Sequence, residues 1–315
     1  MHFQGVLKSV GDSCDRHSTI VTAYYNLGFL NKHTEREFNA WNARFFRLSD
    51  SMVIFTDSKS LRAVRKARSL SLRAKCSRYI VQELEDTYTA NLTDWRKHTK
   101  LDPEIRIHKD YFVYLIWNQK SDWLLQALTL NPFQSEHFFW ADSGQFRDNR
   151  FFTSLKRSDW FWIVQKNNFI ADGKVLLLAV EYFTPCELLT PTDANLKSDT
   201  VRIGGGNFGG DARALRKWRK RFYEELQRYI NQGYFAGKDQ PIMSSTCLRF
   251  EDLCQMIASD RVEGINDKWF AMQPVLHGTS IIPIYNPVRH IDSPLSCLRK
   301  TRQRPKGSLL NLGRF

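Results

Sequence analysis

Two aspartates follow short apolar segments, at positions where strands of a sheet are expected to end. Asp57 comes directly after residues 52–56, and Asp142 comes directly after the aromatic segment 138–141. In open α/β sheets, ligands bind beyond the carboxyl ends of the strands, where a carboxylate can hold a ribose hydroxyl or a divalent cation. The alternative for each residue is an ordinary turn aspartate or helix cap. Their positions mark both as candidate nucleotide-binding or metal-binding residues.

Residues 204–210 are unusually rich in glycine, with five glycines among seven residues. Gly204, Gly206 and Gly209 match a dinucleotide-binding fingerprint, with a predicted strand before and a predicted helix after. An NAD(P)-dependent oxidoreductase is therefore one alternative function. Against it, the fingerprint normally opens the first βα unit, and the acidic residue expected about 20 positions later falls inside the predicted helix. A glycine-rich loop that lets backbone approach a ligand closely fits the segment equally well.

Asp239 and Gln240 stand at the start of a predicted helix, directly after Gly237 and Lys238. An aspartate there can cap the helix, or it can act as a catalytic carboxylate held against the glycine-rich loop. The histidines form no metal-ligand pair four residues apart, and neither a nucleophile elbow nor a Walker loop occurs. The sequence therefore lacks the signatures of hydrolases and kinases.

The elements that must position these residues begin with alternating strands and helices. Thr34 and Glu37 have the spacing of a capping box, and apolar residues follow them at helical intervals. Residues 62–74 suit a basic helix. A strand–helix–strand order favours a parallel βαβ unit. The strands predicted in this part cover residues 18–25, 52–56 and 77–84.

The rest of the chain continues this alternation, which indicates an α/β protein. An apolar helix is predicted over residues 110–130, and Asn131 and Pro132 stop it. An amphipathic helix is predicted over residues 211–230, and a further helix begins at Lys238. The remaining predicted strands cover residues 136–144, 160–165, 174–183 and 200–203.

The chain is basic, with 46 Lys and Arg against 33 Asp and Glu among 315 residues and a formal net charge of +13. Such a charge favours anionic ligands, including nucleotides, phosphates, nucleic acids and acidic glycans. A noncatalytic protein that binds nucleic acid or another polyanion is therefore a further alternative. Against it, the aromatic residues form core-like stripes and do not alternate with Lys and Arg. The basic clusters lie at residues 62–78, 213–221 and 299–306.

Six cysteines are scattered along the chain without a CxxC pair, which predicts buried or free thiols and argues against a disulfide scaffold. No apolar run approaches the roughly 20 residues that span a bilayer, and the N-terminus lacks the apolar core of a signal peptide. These features predict a soluble protein, either cytoplasmic or, if an anchor lies upstream, in the Golgi or secretory pathway.

The order and spacing of several motifs resemble the HtrL/YibB family, also called WlaTC/HtrL, whose members are glycosyltransferase-like. The resemblance spans about residues 18–285, and the order of the motifs carries it, because each motif alone is only modestly specific. The motifs are TIVTAYY at residues 19–25, Trp41, VIFT at 53–56, NQK at 118–120, FFWADSG at 138–144, GGNFGG at 205–210 and DQ at 239–240.

The resemblance implies a GT-A-like fold, in which an α/β sheet binds a nucleotide, a strand-end Asp motif holds a metal and a late loop faces the sugar. We expect an α/β fold with a single GT-A-like Rossmann-type domain, in which helices flank a mixed, mostly parallel central sheet. The domain is expected over residues 18–290, between an N-terminal extension (1–17) and a basic tail (291–315). The implied partners are a nucleotide-sugar donor and a glycan or other hydroxyl acceptor, and no specific nucleic acid is expected.

The resemblance also implies roles for individual residues. Asp142 matches the last Asp of the metal motif and is expected to hold a divalent cation, Mn²⁺ or Mg²⁺; Trp140 stands where the motif usually has its first Asp. The expected catalytic residues are Asp239 and Gln240. The nucleotide is expected to contact Thr22, Ala23, Tyr24 and Asp57. The sugar and acceptor are expected beside a loop formed by Gly205, Gly206, Asn207, Gly209 and Gly210. The residues expected to help hold the phosphates are Arg213 and Arg216.

Overall fold

The apolar segment predicted as the first strand lies inside a mixed sheet that has helices on both faces. The structure is a computed structural model, and it describes residues 14, 17–28, 34–108, 110–155, 160–161, 169–189, 200–280 and 282–285. The predicted tail (291–315), most of the N-terminal extension and most of the predicted strand 160–165 lie outside these residues. The two described residues of that strand, Trp160 and Phe161, lie in a turn.

The sheet of the described chain has eight strands in the order β3-β2-β1-β4-β6-β5-β7-β8 once they are numbered along the chain. Their bounds are β1 (Ser18–Tyr24), β2 (Ser51–Thr56), β3 (Ser77–Val81), β4 (His137–Ala141), β5 (Val175–Ala179), β6 (Ile203–Asp211), β7 (Cys254–Ala258) and β8 (Ile284–Tyr285). β6 and β8 run antiparallel to their neighbours, and the remaining pairs are parallel. The predicted α/β class with a mixed, mostly parallel sheet is therefore confirmed.

The helices are predicted well where the apolar periodicity is long. Thr34 and Glu37 form the predicted capping box at the start of the first helix. The apolar helix α5 ends at Asn131, which has a left-handed backbone with φ 35°. The bounds are α1 (Glu35–Phe45), α2 (Leu61–Arg68), α3 (Trp95–His98), α4 (Ile105–His108), α5 (Phe112–Leu130), α6 (Asn149–Ser154), α7 (Pro185–Leu189), α8 (Ala212–Asn231), α9 (Asp239–Arg249) and α10 (Met272–His277).

Each face of the sheet has its own apolar core. On one face, α5, α8 and α9 pack against the sheet around Trp123, Trp140 and Trp218. On the other face, α1, α2 and α10 pack around Phe45 and Phe146. In the part of the chain that the structure describes, no helix has both the length and the apolarity needed to cross a bilayer.

The glycine-rich segment lies in a strand, so the prediction of a loop is wrong. β6 contains all of residues 204–210 and is paired with β4 on one side and with β5 on the other. The alternating pattern that identifies a strand is carried by side chains, and most residues here have none. The sequence therefore offered no periodicity from which to predict β6.

The prediction of free thiols is also wrong, because no described cysteine is free. Cys14 is bonded to Cys76, and Cys247 is bonded to Cys254. Cys186 is disulfide-bonded as well. The first bridge joins the segment before β1 to the segment before β3, and the second joins α9 to β7. The fold brings these segments together, and their proximity cannot be inferred from the spacing of the cysteines alone.

Candidate functional site

The strand-end residues singled out in the sequence meet at one edge of the sheet. Asp142 follows the last residue of β4, and Tyr24 pairs with Thr56, the last residue of β2. Asp57 follows Thr56 directly. Because Val21 pairs with Trp140, the next residues of β1 lie level with the end of β4. This edge, formed by the carboxyl ends of β1, β2 and β4, is the candidate site.

A lysine that the sequence analysis did not assign stands at the centre of this edge. The Nζ of Lys120 lies 2.9 Å from Oδ2 of Asp239 and 3.3 Å from Oδ1 of Asp142. It also donates to the carbonyl oxygen of Gly205 at 3.0 Å. A lysine ammonium has three donors. Lys120 thus donates to Asp239 and Gly205, forms an ion pair with Asp142, and joins α5, α9, β6 and the end of β4 at one point.

Helix α5 can hold a buried ammonium because its centre is polar on every side. The Nδ2 of Asn118 donates to the carbonyl oxygens of Ala236 and Gly237, which ties α5 to the segment that leads into α9. Ser121 accepts from the indole nitrogen of Trp218 on α8. Five consecutive polar residues, Asn118 to Asp122, are buried here inside an otherwise apolar helix. This interruption of the apolar pattern is the sequence signal that could have identified Lys120.

One carboxylate oxygen of Asp142 contacts neighbouring residues, and the other has no hydrogen-bond partner among the described residues. Its Oδ1 accepts from the indole nitrogen of Trp140 at 2.7 Å, in addition to facing Lys120. Its backbone nitrogen donates to the carbonyl oxygen of Gly206, which also accepts from Nε2 of Gln145. Its Oδ2 makes no hydrogen bond with the described residues, and 44% of the side chain is exposed. One carboxylate oxygen is thus available to a ligand.

Asp239 is more enclosed, with 5% of its side chain exposed. The N-cap of α9 is Lys238, and the carboxylate of Asp239 is turned towards Lys120, so helix capping does not explain Asp239. A Cβ at Gly205 would lie 2.6 Å from Oδ2 of Asp239. Gly205 is therefore required for the carboxylate to reach Lys120. The neighbouring Gln240 is partly buried, and its backbone carbonyl accepts from Ser244.

The two carboxylates keep Lys120 charged. Burial lowers the pKa of Lys120, but Asp142 and Asp239 outweigh burial, and the pKa lies above its ordinary value of 10.5. Burial raises the pKa of Asp142, while Lys120 and the Trp140 indole oppose the rise. Because the Asp142 side chain is partly exposed, we expect water to weaken the effect of burial on its pKa.

The proposed nucleotide residues lie at the edge but differ in their surroundings. Thr22 is fully buried, and its hydroxyl has no hydrogen-bond partner among the described residues. Ala23 and Tyr24 are partly exposed. Burial, followed by the charges of Glu35 and Asp57, raises the pKa of Tyr24. Asp57 accepts from the backbone nitrogen of Ser60 at 2.6 Å at the start of α2, which is the ordinary turn contact considered as its alternative.

The structure separates Gly209 and Gly210 from the rest of the expected sugar site. They pair with Phe139 and Phe138, towards the start of β4, whereas Gly205 and Gly206 lie beside Asp239 and Asp142. A Cβ at Gly209 would lie 2.2 Å from the carbonyl oxygen of Phe138. Close strand packing therefore explains these two glycines. Asn207, opposite Ala141, is buried, and its amide has no hydrogen-bond partner among the described residues.

Arg213 and Arg216 do not face the candidate site, so the expectation that they hold phosphates there is wrong. They follow Asp211, which pairs with His137, the first residue of β4. Asp142 lies at the other end of β4, roughly 16 Å away at the usual rise per residue of a strand. These arginines and Asp142 are thus at opposite edges of the sheet.

The structure removes the motif on which the oxidoreductase alternative rested. Its fingerprint requires glycines in the turn between a strand and a helix, whereas Gly204 and Gly209 lie within β6. The N-terminus of the following helix is already capped, because Asp211 accepts from the backbone nitrogen of Ala214 at 2.7 Å. A carboxylate thus stands where the fingerprint would bind a pyrophosphate.

The site suits a divalent cation that arrives with phosphate oxygens, and it does not suit a cation enclosed by protein ligands. No group of three or more His, Cys, Asp or Glu side chains in the described residues can hold a metal. Asp142 offers one free oxygen, whereas Asp239 is engaged by Lys120. Mg²⁺ is commonly bound through one or two carboxylates together with substrate phosphates. Asp142 fits that arrangement.

Comparisons with known proteins give a family and several distant solved structures, of which two are described. A family model described as "Bacterial protein of unknown function (HtrL_YibB)" matches residues 16–275. A search of curated proteins found no significant match. The crystal structure of mouse xyloside xylosyltransferase 1 in its apo form is 11% identical, covers 86% of this chain and 96% of its own, and has a TM-score of 0.41.

A second solved structure is 4-diphosphocytidyl-2C-methyl-D-erythritol synthase from Anaerococcus prevotii. It is 9% identical, covers 77% of this chain and 87% of its own, and has a TM-score of 0.31. Both TM-scores are low, so neither structure assigns a function to this chain.

Proposed function

The chain belongs to the HtrL_YibB family, and we propose that it is a glycosyltransferase that moves a sugar from a nucleoside diphosphate to a hydroxyl acceptor. The observation that carries the proposal is Lys120, which bridges Asp142 and Asp239 at the carboxyl edge of the sheet. Burying a charged triad is costly, and such perturbed groups concentrate at functional sites. The two carboxylates differ in exposure, which suits two different tasks.

In the proposed complex, the nucleotide lies over the end of β1. Ligands of open α/β sheets bind at such a position, and Thr22, Ala23 and Tyr24 are the residues of β1 at this edge. The buried hydroxyl of Thr22, which has no described partner, supports this position. Asp57 uses one oxygen in its turn, and its second oxygen is the proposed partner of a ribose hydroxyl.

Asp142 is the proposed ligand of a divalent cation, Mn²⁺ or Mg²⁺, through its open Oδ2. When bound, such a cation would neutralise charge on the departing diphosphate. We propose Arg147 as the protein cation for the same diphosphate. Its guanidinium lies 4.6 Å from the ring centre of Trp41 and 5.1 Å from that of Phe270. It makes no ion pair with the described residues; burial lowers its pKa, and the charges of Asp267, Asp142 and Glu37 oppose this shift.

Asp239 is the proposed catalytic carboxylate. The reaction breaks the bond between the anomeric carbon and the diphosphate oxygen, whose electron pair leaves with the diphosphate. The acceptor oxygen forms the new bond and loses its proton. Lys120 and Gly205 fix the orientation of Asp239, so that it can accept this proton or attack the anomeric carbon first. In the second case, the released diphosphate accepts the proton of the acceptor hydroxyl. Gly206, Asn207 and Gln240 are proposed to border the sugar.

The variant Asp239→Asn tests the proposal, because it keeps the size of the side chain and removes its charge. We expect sugar transfer to fall by at least about a hundredfold, the usual effect of losing a positioned acid–base group. Donor binding, measured as stabilisation against heat by a panel of nucleotide sugars, should persist. Asp252→Asn, at an exposed position beyond the end of α9, is the matched control and should transfer normally.

Two results would contradict the proposal in different ways. A normal transfer rate in Asp239→Asn would show that Asp239 is not catalytic, but it would not contradict the proposal that the protein is a glycosyltransferase. If no nucleotide sugar stabilises the wild type, and DNA or heparin instead retains the chain with a steep dependence on salt concentration, the noncatalytic polyanion-binding alternative is favoured.

A further inference from the structure

Residues 59–82 form a surface of one charge, which we call the basic surface. The segment contains eight Lys and Arg and no Asp or Glu. It covers α2, the turn after it and β3, which is an edge strand of the sheet. The exposed cations form no salt bridge with the described residues, although the charge of Lys59 acts on Glu83 just beyond the segment; they are Lys59, Arg62, Arg65, Lys66, Lys75 and Arg78.

Two leucines project from the middle of the basic surface. Leu70 is 60% exposed and Leu72 is 79% exposed, which makes them the most exposed large apolar side chains that the structure describes. Val81, on the same segment, is 49% exposed. Single exposed apolar residues are ordinary on protein surfaces, but Leu70 and Leu72 are two residues apart in a segment rich in cations, whereas Val81 pairs with Thr56 at the other end of β2.

The turn that carries the leucines is anchored to the fold. Arg68 is fully buried, and its guanidinium donates to the carbonyl oxygens of Leu48 and Asp50 and to the hydroxyl of Ser77. The hydroxyl of Ser71, between the two leucines, donates to the carbonyl oxygen of Leu48 at 2.7 Å. The leucines are therefore held outward by a buried hydrogen-bond network, at no further cost in ordering a loop.

We propose that the basic surface docks the protein on an anionic lipid bilayer. Its cations attract acidic headgroups, and Leu70 and Leu72 enter the boundary between headgroups and acyl chains. A nucleic acid offers phosphates for the cations but little apolar contact for two projecting leucines. A second copy of the chain that presents the same surface is disfavoured as the occupant, because two surfaces of the same positive charge repel each other.

The fold orients the candidate site away from this bilayer. The turn at residues 69–76 precedes Ser77, which pairs with Met52 near the start of β2, whereas Asp142 lies at the opposite edge. The length of β2, roughly 20 Å, separates the two edges. Docking through the leucines would therefore leave the candidate site facing the solution. The proposal does not depend on the proposed transferase activity.

Sedimentation of the full chain with vesicles tests the proposal. We compare phosphatidylcholine vesicles with vesicles that also contain phosphatidylserine, at low and high salt. Binding should require phosphatidylserine and weaken with salt. Leu70→Ser/Leu72→Ser should weaken binding by about tenfold or more, and Arg62→Ser/Arg65→Ser/Lys66→Ser by about a hundredfold.

Matched controls distinguish this surface from general charge and apolarity. Leu101→Ser/Leu130→Ser removes two leucines exposed elsewhere, and Arg216→Ser/Lys217→Ser/Lys220→Ser removes three exposed cations of α8. Both controls should bind vesicles as the wild type does. The proposal is overturned if the controls lose binding equally, if phosphatidylserine is not required, or if the leucine pair has no effect. Retention of DNA or heparin without vesicle binding would also overturn it and assign the surface to a soluble polyanion.

Discussion

At the scale of single residues, Lys120 acts as an internal counter-ion. It donates to Asp239 and Gly205 and forms an ion pair with Asp142, so its charge is balanced by protein groups before any ligand binds. We therefore regard it as a positioning residue: it fixes the two carboxylates, and they face the substrate. In this role Lys120 affects the reaction by orienting Asp239.

Removing the charge of Lys120 should show how strongly the triad is coupled. Lys120→Met keeps the volume and should lower the free energy of unfolding by about 3–5 kcal/mol, because it leaves two facing carboxylates without their cation. The double variant Lys120→Met/Asp239→Asn should recover part of this loss. Urea unfolding of the single and double variants measures the coupling. Additive losses would mean that the ion pair contributes nothing to folding.

Asp142 should act on ligand binding more than on stability, because its side chain is half open to solvent. We expect Asp142→Asn to abolish the Mn²⁺-dependent part of the stabilisation by UDP and to change the melting temperature of the unliganded protein little. The measurement is a thermal-shift titration with UDP, with and without Mn²⁺. Asp148→Asn, an exposed helix cap in the same loop, is the control. Equal behaviour of the two variants would contradict the metal role.

At the scale of elements, β6 combines two functions along its length. Its first part approaches the carboxylates, and its second part packs closely against β4. A Cβ at Gly205 would meet Oδ2 of Asp239 at 2.6 Å, whereas a Cβ at Gly204 would meet Cγ1 of Val180 at 3.2 Å. Neighbouring glycines in one strand can therefore be tested for different roles.

A series of alanine substitutions should divide β6 into these parts. Gly204→Ala should cost a little stability and leave activity intact, because an apolar side chain can shift. Gly205→Ala should reduce activity by at least about tenfold, because Asp239 must leave Lys120. Gly209→Ala should fail to fold, because its Cβ would lie 2.2 Å from a backbone oxygen. Circular dichroism and transfer rates measure the three outcomes. Equal losses in Gly204→Ala and Gly205→Ala would contradict the distinction.

The elements that could be predicted from sequence are those whose side chains show a period. β1, β2, α5 and α8 follow from apolar patterns, and the capping box locates the start of α1. β6 could not be predicted, because glycines give no period. Asp142 and Asp239 were singled out from their local positions and from the family resemblance. Lys120 was not assigned a role: the polar interruption of α5 marks its position in the sequence, but its contacts with Asp239 and Gly205 depend on packing between α5, α9 and β6.

At the scale of the whole molecule, buried titratable groups should limit stability at alkaline pH. Burial raises the pKa of Tyr25, Tyr114 and Tyr223 above the ordinary value of 10. The folded chain therefore retains protons that the unfolded chain releases. The free energy of unfolding should keep its full value below about pH 10. Above that pH it should fall by up to about 1.4 kcal/mol per pH unit for each such group. Urea unfolding between about pH 9 and pH 11 measures the slope, and Tyr223→Phe should reduce it. A flat profile would contradict this account.

The disulfides determine how the protein can be produced and handled. The bridge Cys14–Cys76 spans 62 residues and Cys247–Cys254 spans 7. From loop-closure entropy, we expect the first to stabilise the folded state by about 4 kcal/mol and the second by about 2 kcal/mol. Cys14→Ala/Cys76→Ala should therefore lower the melting temperature more than Cys247→Ala/Cys254→Ala. Thiol reductants in purification buffers should also lower the melting temperature. Because glutathione keeps cytosolic thiols reduced, expression with export to an oxidising periplasm should yield a more stable product than expression in the bacterial cytosol.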